Sequence, residues 1–201
     1  ATNLSYEFVF YSLSLAILVS IYFISKLSYE GEATISKPKI TDVMEILKDK
    51  RFLIIYFLMF CVFFVFSGVL NILPFRVKEI SSNVSEFQIS LLYLGYGMGF
   101  LISLNSSKIV KFFKNELNTI LFGLIFFLFI TIFLIQENII FIFLLIFLFC
   151  VGMFTVHTVS TGLANSMKES QKSLTSGMYL SLYYLGGALG SFLPSIIYEK
   201  F

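Results

Sequence analysis

Apolar residues fall in long unbroken runs along this chain, and polar residues gather between them. Six windows, 8–25, 52–75, 87–107, 117–136, 138–167 and 173–198, hold 139 of the 201 residues and none of the 14 basic or 12 acidic side chains. A helix rising about 1.5 Å per residue needs about 20 apolar residues to cross about 30 Å of hydrocarbon. The windows are 18, 24, 21, 20, 30 and 26 residues long, so all six are long enough, the first only just. Backbone N–H and C=O groups find no water in the bilayer core, so spanning segments must be helices or strands of a closed barrel. Continuous apolar runs, rather than alternation with period two, decide for helices. The pattern predicts an all-α integral membrane protein with six transmembrane helices.

Composition agrees. Hydrophobic residues make up 58% of the chain and charged residues 13%, with a mean hydropathy of +0.91. A soluble domain of this length needs more polar surface. The net charge of +2 is too small to suggest a nucleic-acid partner, and its meaning lies in its distribution. Lys26, Lys37, Lys39, Lys48, Lys50, Arg51, Lys108, Lys111, Lys114, Lys168 and Lys172 fall on one set of alternate connections. Only Arg76, Lys78 and Lys200 fall on the other. Basic residues of short loops stay cytoplasmic. The start of the chain is therefore expected outside and the 26–51 linker inside. The first residue is Ala, and the first apolar run has no basic region ahead of it to make it a signal peptide. The chain is expected to be an internal fragment of a longer one.

The 26–51 linker is the one extended polar stretch. Asp42 stands three residues before Glu45, an arrangement that predicts a short helix starting at Asp42 with Val43, Ile46 and Leu47 on one side. That side would lie on the membrane surface or against the inner ends of the spans. The connection 134–139 is short enough to make the fourth and fifth helices antiparallel neighbours. Cys61 and Cys150 both sit in apolar windows and read as buried thiols.

Small residues mark where helices approach closely. Gly95 and Gly99 are four apart in the third window; Gly186, Gly187 and Gly190 lie in the sixth, followed by Pro194, which can bend it. Polar residues inside the windows are costly in lipid and usually face protein or a water-filled path. No Asp or Glu lies in any window, and His157 is the one side chain there that titrates near neutral pH. Met153, His157, Thr161 and Asn165 share a helical face, with Ser160 beside it. Either His157 is a neutral packing residue bonded to a neighbouring helix, or it lines a path and responds to substrate or protons. Ser67, Asn71 and Pro74 make a second stripe, and Tyr179 and Tyr183, with Tyr184 adjacent, a third. The tyrosines read as interfacial anchors or as cavity residues whose hydroxyls find partners. The 26 phenylalanines read as lipid-facing bulk, with the lining of an apolar substrate cavity left open for some of them.

Enzyme chemistry does not show itself. A lone histidine with no intramembrane carboxylate supplies neither a hydrolytic triad nor a zinc site, and no phosphate-binding Gly-Lys-Ser/Thr loop occurs. No catalytic residue, metal or cofactor is expected. The residues alone leave open a membrane scaffold or receptor, or a membrane enzyme with its catalytic groups in residues beyond these.

A further reading comes from likeness. One inward helix, a long basic linker, and alternating helices with a basic inner loop after the next pair resemble helices six to eleven of the major facilitator superfamily. Leu73-Pro74-Phe75 closes the second helix as the family's seventh helix often closes. The run from Gly177 through Tyr179, Tyr183, Gly186, Gly187 and Gly190 to Pro194 is similar to its eleventh helix, above all in bacterial proton-linked efflux proteins. In that branch a histidine in the tenth helix followed by small hydroxyl residues is also familiar, here His157, Thr158 and Ser160. The loop after the third window departs from the family's pattern: Val110 stands for its acid and Phe113 for its glycine. A latch role for this loop is accordingly in doubt.

The resemblance implies a partial major-facilitator fold. Residues 1–25 would be the last helix of the N-terminal bundle, 26–51 the cytoplasmic linker, and 52–201 five helices of the C-terminal bundle. It implies a monomeric secondary transporter in a bacterial cell membrane, exporting a small organic compound by alternating access with protons as the coupling ion. Asn71, His157, Thr161, Tyr179 and Tyr183 would line or gate the path. Gly95, Gly99, Gly186, Gly187, Gly190 and Pro194 would pack or bend its helices.

Overall fold

The computed structural model describes residues 6–28 and 39–198, and all its regular structure is helical. Linker residues 29–38, with Lys37, and the chain end, with Lys200, lie outside the described residues. Among the described residues, six helices are long and apolar enough to cross a membrane, in agreement with the six windows.

The chain divides into two units. The first contains α1 (Tyr6–Ser25), whose Ser12 and Ser20 hydroxyls donate to the carbonyls of Phe8 and Ala16 one turn back, at 2.8 and 2.9 Å. Satisfied in this way, a serine causes no break in an apolar helix.

The second unit starts with α2 (Ile40–Lys48). Its N-cap is Lys39, and Asp42 is the third helical residue, where its carboxylate accepts from the Lys39 backbone N–H at 3.3 Å. The cap therefore sits three residues earlier than the sequence suggests, at Lys39, because Asp42 acts as the returning member of the cap rather than its first. Ile46 is buried, Val43 half-buried and Leu47 exposed.

After Asp49 the chain enters α3 (Lys50–Ile80). Asp49 caps it, accepting from the Arg51 backbone N–H at 2.9 Å, and its carboxylate pairs with the Arg51 guanidinium at 2.7 Å. That hydrogen bonding from Arg51 holds the Asp49 carboxyl below its usual range. At its far end α3 does not close at Leu73-Pro74-Phe75 but continues for five residues past Phe75. Proline removes one helical donor and crowds the turn before it, while its fixed φ suits the turn after it. The extension is anchored: Val77 is fully buried, Arg76 pairs with Glu137 at 3.7 Å, Lys78 pairs with Glu86, and Glu79 accepts from the Tyr198 hydroxyl at 2.5 Å.

The third window is not one continuous α-helix. It runs as α4 (Glu86–Ser90), a tighter 3₁₀ stretch over Leu91–Tyr96, and α5 (Gly97–Phe112). The 3₁₀ stretch holds Gly95 against α7 (Ile139–Met167), where a Cβ at this position would meet Cys150 Sγ at 2.9 Å and the Ile146 carbonyl at 3.3 Å. Short 3₁₀ insertions of this kind recur where packing constrains a helix. Lys114 then turns the chain with φ of 75°, and Asn115 caps α6 (Glu116–Phe133) by accepting from the Asn118 N–H at 2.8 Å.

The turn after α6 returns the chain as α7, and the two helices pack as antiparallel neighbours. Gly123 and Gly152 allow the approach, since Cβ atoms there would come within 2.8 Å of Val156 and 3.0 Å of Phe127. After a 3₁₀ turn over Glu169–Gln171, α8 (Lys172–Tyr198) runs along α3 for most of its length. Here the glycines matter most. A Cβ on Gly186 would stand 2.2 Å from the Phe60 carbonyl oxygen, and one on Gly190 2.1 Å from that of Phe64. Two backbones lie in contact, a packing open only to residues without a side chain.

Aromatic side chains fill the centre of this unit. Phe66 stacks on Phe149 at 5.3 Å, and Phe149 on Phe127 at 4.6 Å, all three buried. The phenylalanines thus divide: Phe57, Phe100, Phe129 and Phe192 are exposed as lipid-facing residues would be, whereas Phe52, Phe66, Phe127 and Phe149 form core. Cys150 is buried as expected, but Cys61 is exposed on the outer side of α3.

Candidate functional site

His157 lies near the middle of α7, and Tyr179 and Tyr183 occupy successive turns of α8. The fold brings all three together. The Tyr179 hydroxyl is 3.0 Å from His157 Nδ1 and 3.3 Å from the His157 carbonyl oxygen. The His157 ring sits 4.7 Å from that of Tyr183, centroid to centroid, and the two tyrosine rings are 6.3 Å apart and nearly parallel. Both tyrosines are buried, at 1% and 7% exposure, as packed residues are and interfacial anchors are not. Adjacent Tyr184, by contrast, is exposed.

The glycines position this group. Gly187 leaves room for Phe63, whose ring would lie 2.3 Å from a Cβ there. Phe63 in turn stacks face to face on Tyr183 at 3.9 Å, and Tyr183 leans on His157. Tyr56 closes the other side, with its ring edge-on to Tyr179 at 6.3 Å and its hydroxyl donating to the Thr175 carbonyl at 3.0 Å.

His157 also lines a cavity of about 600 Å³ between α5 and α7. Thr161 and Asn165 share that wall, whereas Met153, on the same helical face, is fully buried. The Thr161 hydroxyl donates to the His157 carbonyl at 2.8 Å, and Asn165 Oδ1 accepts from Ser176 of α8 at 2.7 Å. The opposite wall comes from Tyr96, Gly99, Phe100 and Ser103. Gly99 leaves space for the Phe154 ring, 2.9 Å from where its Cβ would be. Among the described residues, none that lines this cavity is charged. Among the described residues, no three His, Cys, Asp or Glu side chains come together as a metal ion would require.

Asn71 belongs to a different group. Its amide donates to the Ser191 carbonyl at 2.7 Å and to Ser195 Oγ at 2.8 Å, while Ser67 and Ser191 share a hydroxyl hydrogen bond at 2.5 Å. Gly68 lies in the same seam, where a Cβ would meet the Gly190 carbonyl at 3.0 Å and Pro194 Cγ at 3.1 Å. Ser191 is twelve residues beyond Tyr179, about 18 Å along a regular helix. The Asn71 group and the His157 group are therefore separate, one tying α3 to α8 and the other tying α7 to α8, with His157 on the cavity wall and Tyr179 and Tyr183 packed behind it.

The sequence reading overlooked Tyr96 and Ser103. Both lie at helical spacing with Gly99 and Phe100 along the third window, and a search for polar residues at steps of three, four and seven would have found them.

The sequence matches the family model of the Major Facilitator Superfamily over residues 1–191. The chain belongs to this family. No curated protein matches it. As a Major Facilitator Superfamily member it is an integral membrane transporter, with the lipid bilayer as its setting and a small molecule as its substrate. Its six membrane-capable helices form part of the superfamily fold.

Proposed function

We propose that this chain is helices six to eleven of a monomeric, proton-coupled secondary transporter that exports a small organic compound from a bacterial cell by alternating access. In this reading residues 1–25 end the first bundle, 26–51 form the cytoplasmic linker, and 52–201 supply five helices of the second. His157 and Thr161 line the substrate path, Tyr179 and Tyr183 gate it, and Asn71 controls the distant end where α3 and α8 meet.

The observation that supports it is the double reach of Tyr179. A tyrosine hydroxyl has one proton and accepts through its oxygen. With His157 neutral and its proton on Nε2, the hydroxyl donates to Nδ1 at 3.0 Å. When Nδ1 carries a proton, that N–H donates to the tyrosine oxygen, and the hydroxyl turns to the His157 carbonyl at 3.3 Å. A rotation of one hydroxyl serves both states of the imidazole. His157 can thus take up and release a proton at the cavity wall without losing its partner, which a coupling residue requires and a purely packing histidine does not.

Substrate that enters the cavity meets an uncharged wall of hydroxyls, one amide and aromatic rings. Such a lining suits an amphipathic organic molecule, orienting it through a few polar contacts among apolar ones. Acidic residues that carry coupled protons are expected in the first bundle.

The test is flux of amphipathic organic compounds through the full-length protein in proteoliposomes under an imposed pH gradient. Flux that follows the gradient supports the reading; flux indifferent to it removes proton coupling. A His157→Ala transporter that works unchanged would reduce the histidine to packing.

A further inference from the structure

A second cavity, of about 440 Å³, lies between the end of α5, the start of α6 and α7. It adjoins the His157 cavity, sharing Thr158 and Gly162, but its wall has a different chemistry. Lys111 and Glu116 both line it. Both side chains are exposed, and among the described residues neither has a hydrogen-bond or ion-pair partner. They do not pair with each other although they face the same space.

Each charge has a local reason for its place. Lys111 stands in the last turn of α5 and Glu116 in the first turn of α6, where helix dipoles favour a cation and an anion respectively. Dipoles do not account for both lining one cavity together with serine hydroxyls. Ser106 and Ser107 supply those hydroxyls, Ser166 gives its own proton to the Leu163 carbonyl at 2.9 Å, and Val159 and Leu163 make the apolar side. A purely anionic occupant would meet Glu116 unfavourably, and a purely cationic one would meet Lys111. An occupant with both charges satisfies both.

We propose that this cavity binds a zwitterionic group, with its anionic part at Lys111 and the serine hydroxyls and its ammonium at Glu116. The site stands at the ends of two bilayer-spanning helices and has an apolar side. A phospholipid headgroup bearing phosphate and a primary ammonium fits this chemistry, and so does a soluble phosphate–ammonium compound. The inference does not depend on the proton-coupled reading, because it concerns equilibrium binding at a different cavity.

The experiment measures binding by native mass spectrometry to the full-length protein in detergent. The probes are dihexanoyl phosphatidylethanolamine, dihexanoyl phosphatidylglycerol and free phosphoethanolamine. The ethanolamine lipid is expected to bind, and Lys111→Gln and Glu116→Gln are each expected to weaken it about tenfold or more, the weight of one charge-assisted hydrogen bond. Phosphatidylglycerol should lose affinity with Lys111→Gln and keep or gain it with Glu116→Gln. Lys108→Gln, on the same helix but outside the wall, should change nothing. Free phosphoethanolamine binding as tightly as the lipid assigns the site to a soluble compound; binding much more weakly assigns it to the bilayer. Ethanolamine-lipid binding unaffected by Glu116→Gln, or lowered equally by Lys108→Gln, would overturn the proposal, as would no binding of either ethanolamine probe. Both wall residues are exposed and unpartnered, so an unchanged thermal midpoint serves as the folding control.

Discussion

Tyr179 holds His157 at two points, with its hydroxyl 3.0 Å from the imidazole Nδ1 and 3.3 Å from the carbonyl of the same residue. Its ring is held independently, by Tyr183 on one side and Tyr56 on another. Tyr179→Phe should therefore keep the packing and remove only the hydroxyl. The expected loss of stability is about 0.5–1.5 kcal/mol, the net weight of one hydrogen bond. The larger effect should be on function: the pH profile of transport shifts or flattens while the amount of inserted protein stays the same. Thermal unfolding in detergent and flux across a pH series measure the two separately.

Gly186 and Gly190 should tolerate no side chain. Their Cβ atoms would lie 2.2 and 2.1 Å from backbone oxygens of α3, which cannot move aside as a flexible side chain can. Gly186→Ala and Gly190→Ala must separate α3 from α8, at a cost of about 1–3 kcal/mol or more. Gly177→Ala, on the same helix with nothing within 4 Å of its Cβ, should cost nothing. Comparing the thermal midpoints of the three variants tests whether the glycines act through contact or merely through helix propensity.

Lys114 is the one non-glycine residue with positive φ among the described residues. A side chain in that region costs about 1–2 kcal/mol relative to the right-handed form. Lys114→Gly is therefore expected to raise stability by up to about 1 kcal/mol, after the extra entropy that glycine loses on folding. A fall in the thermal midpoint would mean that the lysine side chain contributes more than its backbone costs.

Asp49 links pH to the entry of α3. Its carboxyl is held below the usual range by hydrogen bonds from Arg51. With the folded value depressed, its stabilising contribution is present above the ordinary carboxylate value and is lost as pH falls through the depressed one. Asp49→Asn should lower the thermal midpoint at neutral pH, and the difference from wild type should shrink towards acid. No difference at any pH would show that the amide caps as the carboxylate does and that the Arg51 pair contributes nothing, and a difference constant with pH would show that the charge of Asp49 plays no part.

The helices themselves were legible, because each is written in local composition: a charge-free window is a span wherever it lies in the fold. Their details were less so. Pro74 reads as an end, yet the buried Val77 and the pairs made by Arg76, Lys78 and Glu79 carry α3 beyond it. The 3₁₀ stretch around Gly95 is imposed by α7, more than forty residues away in sequence. Spacing showed that His157 and Thr161 share a face and that Tyr179 and Tyr183 do. It could not show that these two faces meet, nor that Asn71 meets Ser191 instead, because contact between helices depends on rotation about their axes and not on order along the chain.

The most direct test of the account is the pH-gradient dependence of flux in proteoliposomes, compared between the full-length protein and its His157→Ala variant at equal insertion. The account predicts that the gradient drives flux in the first and no longer does so in the second. Equal gradient-driven flux in both would contradict it.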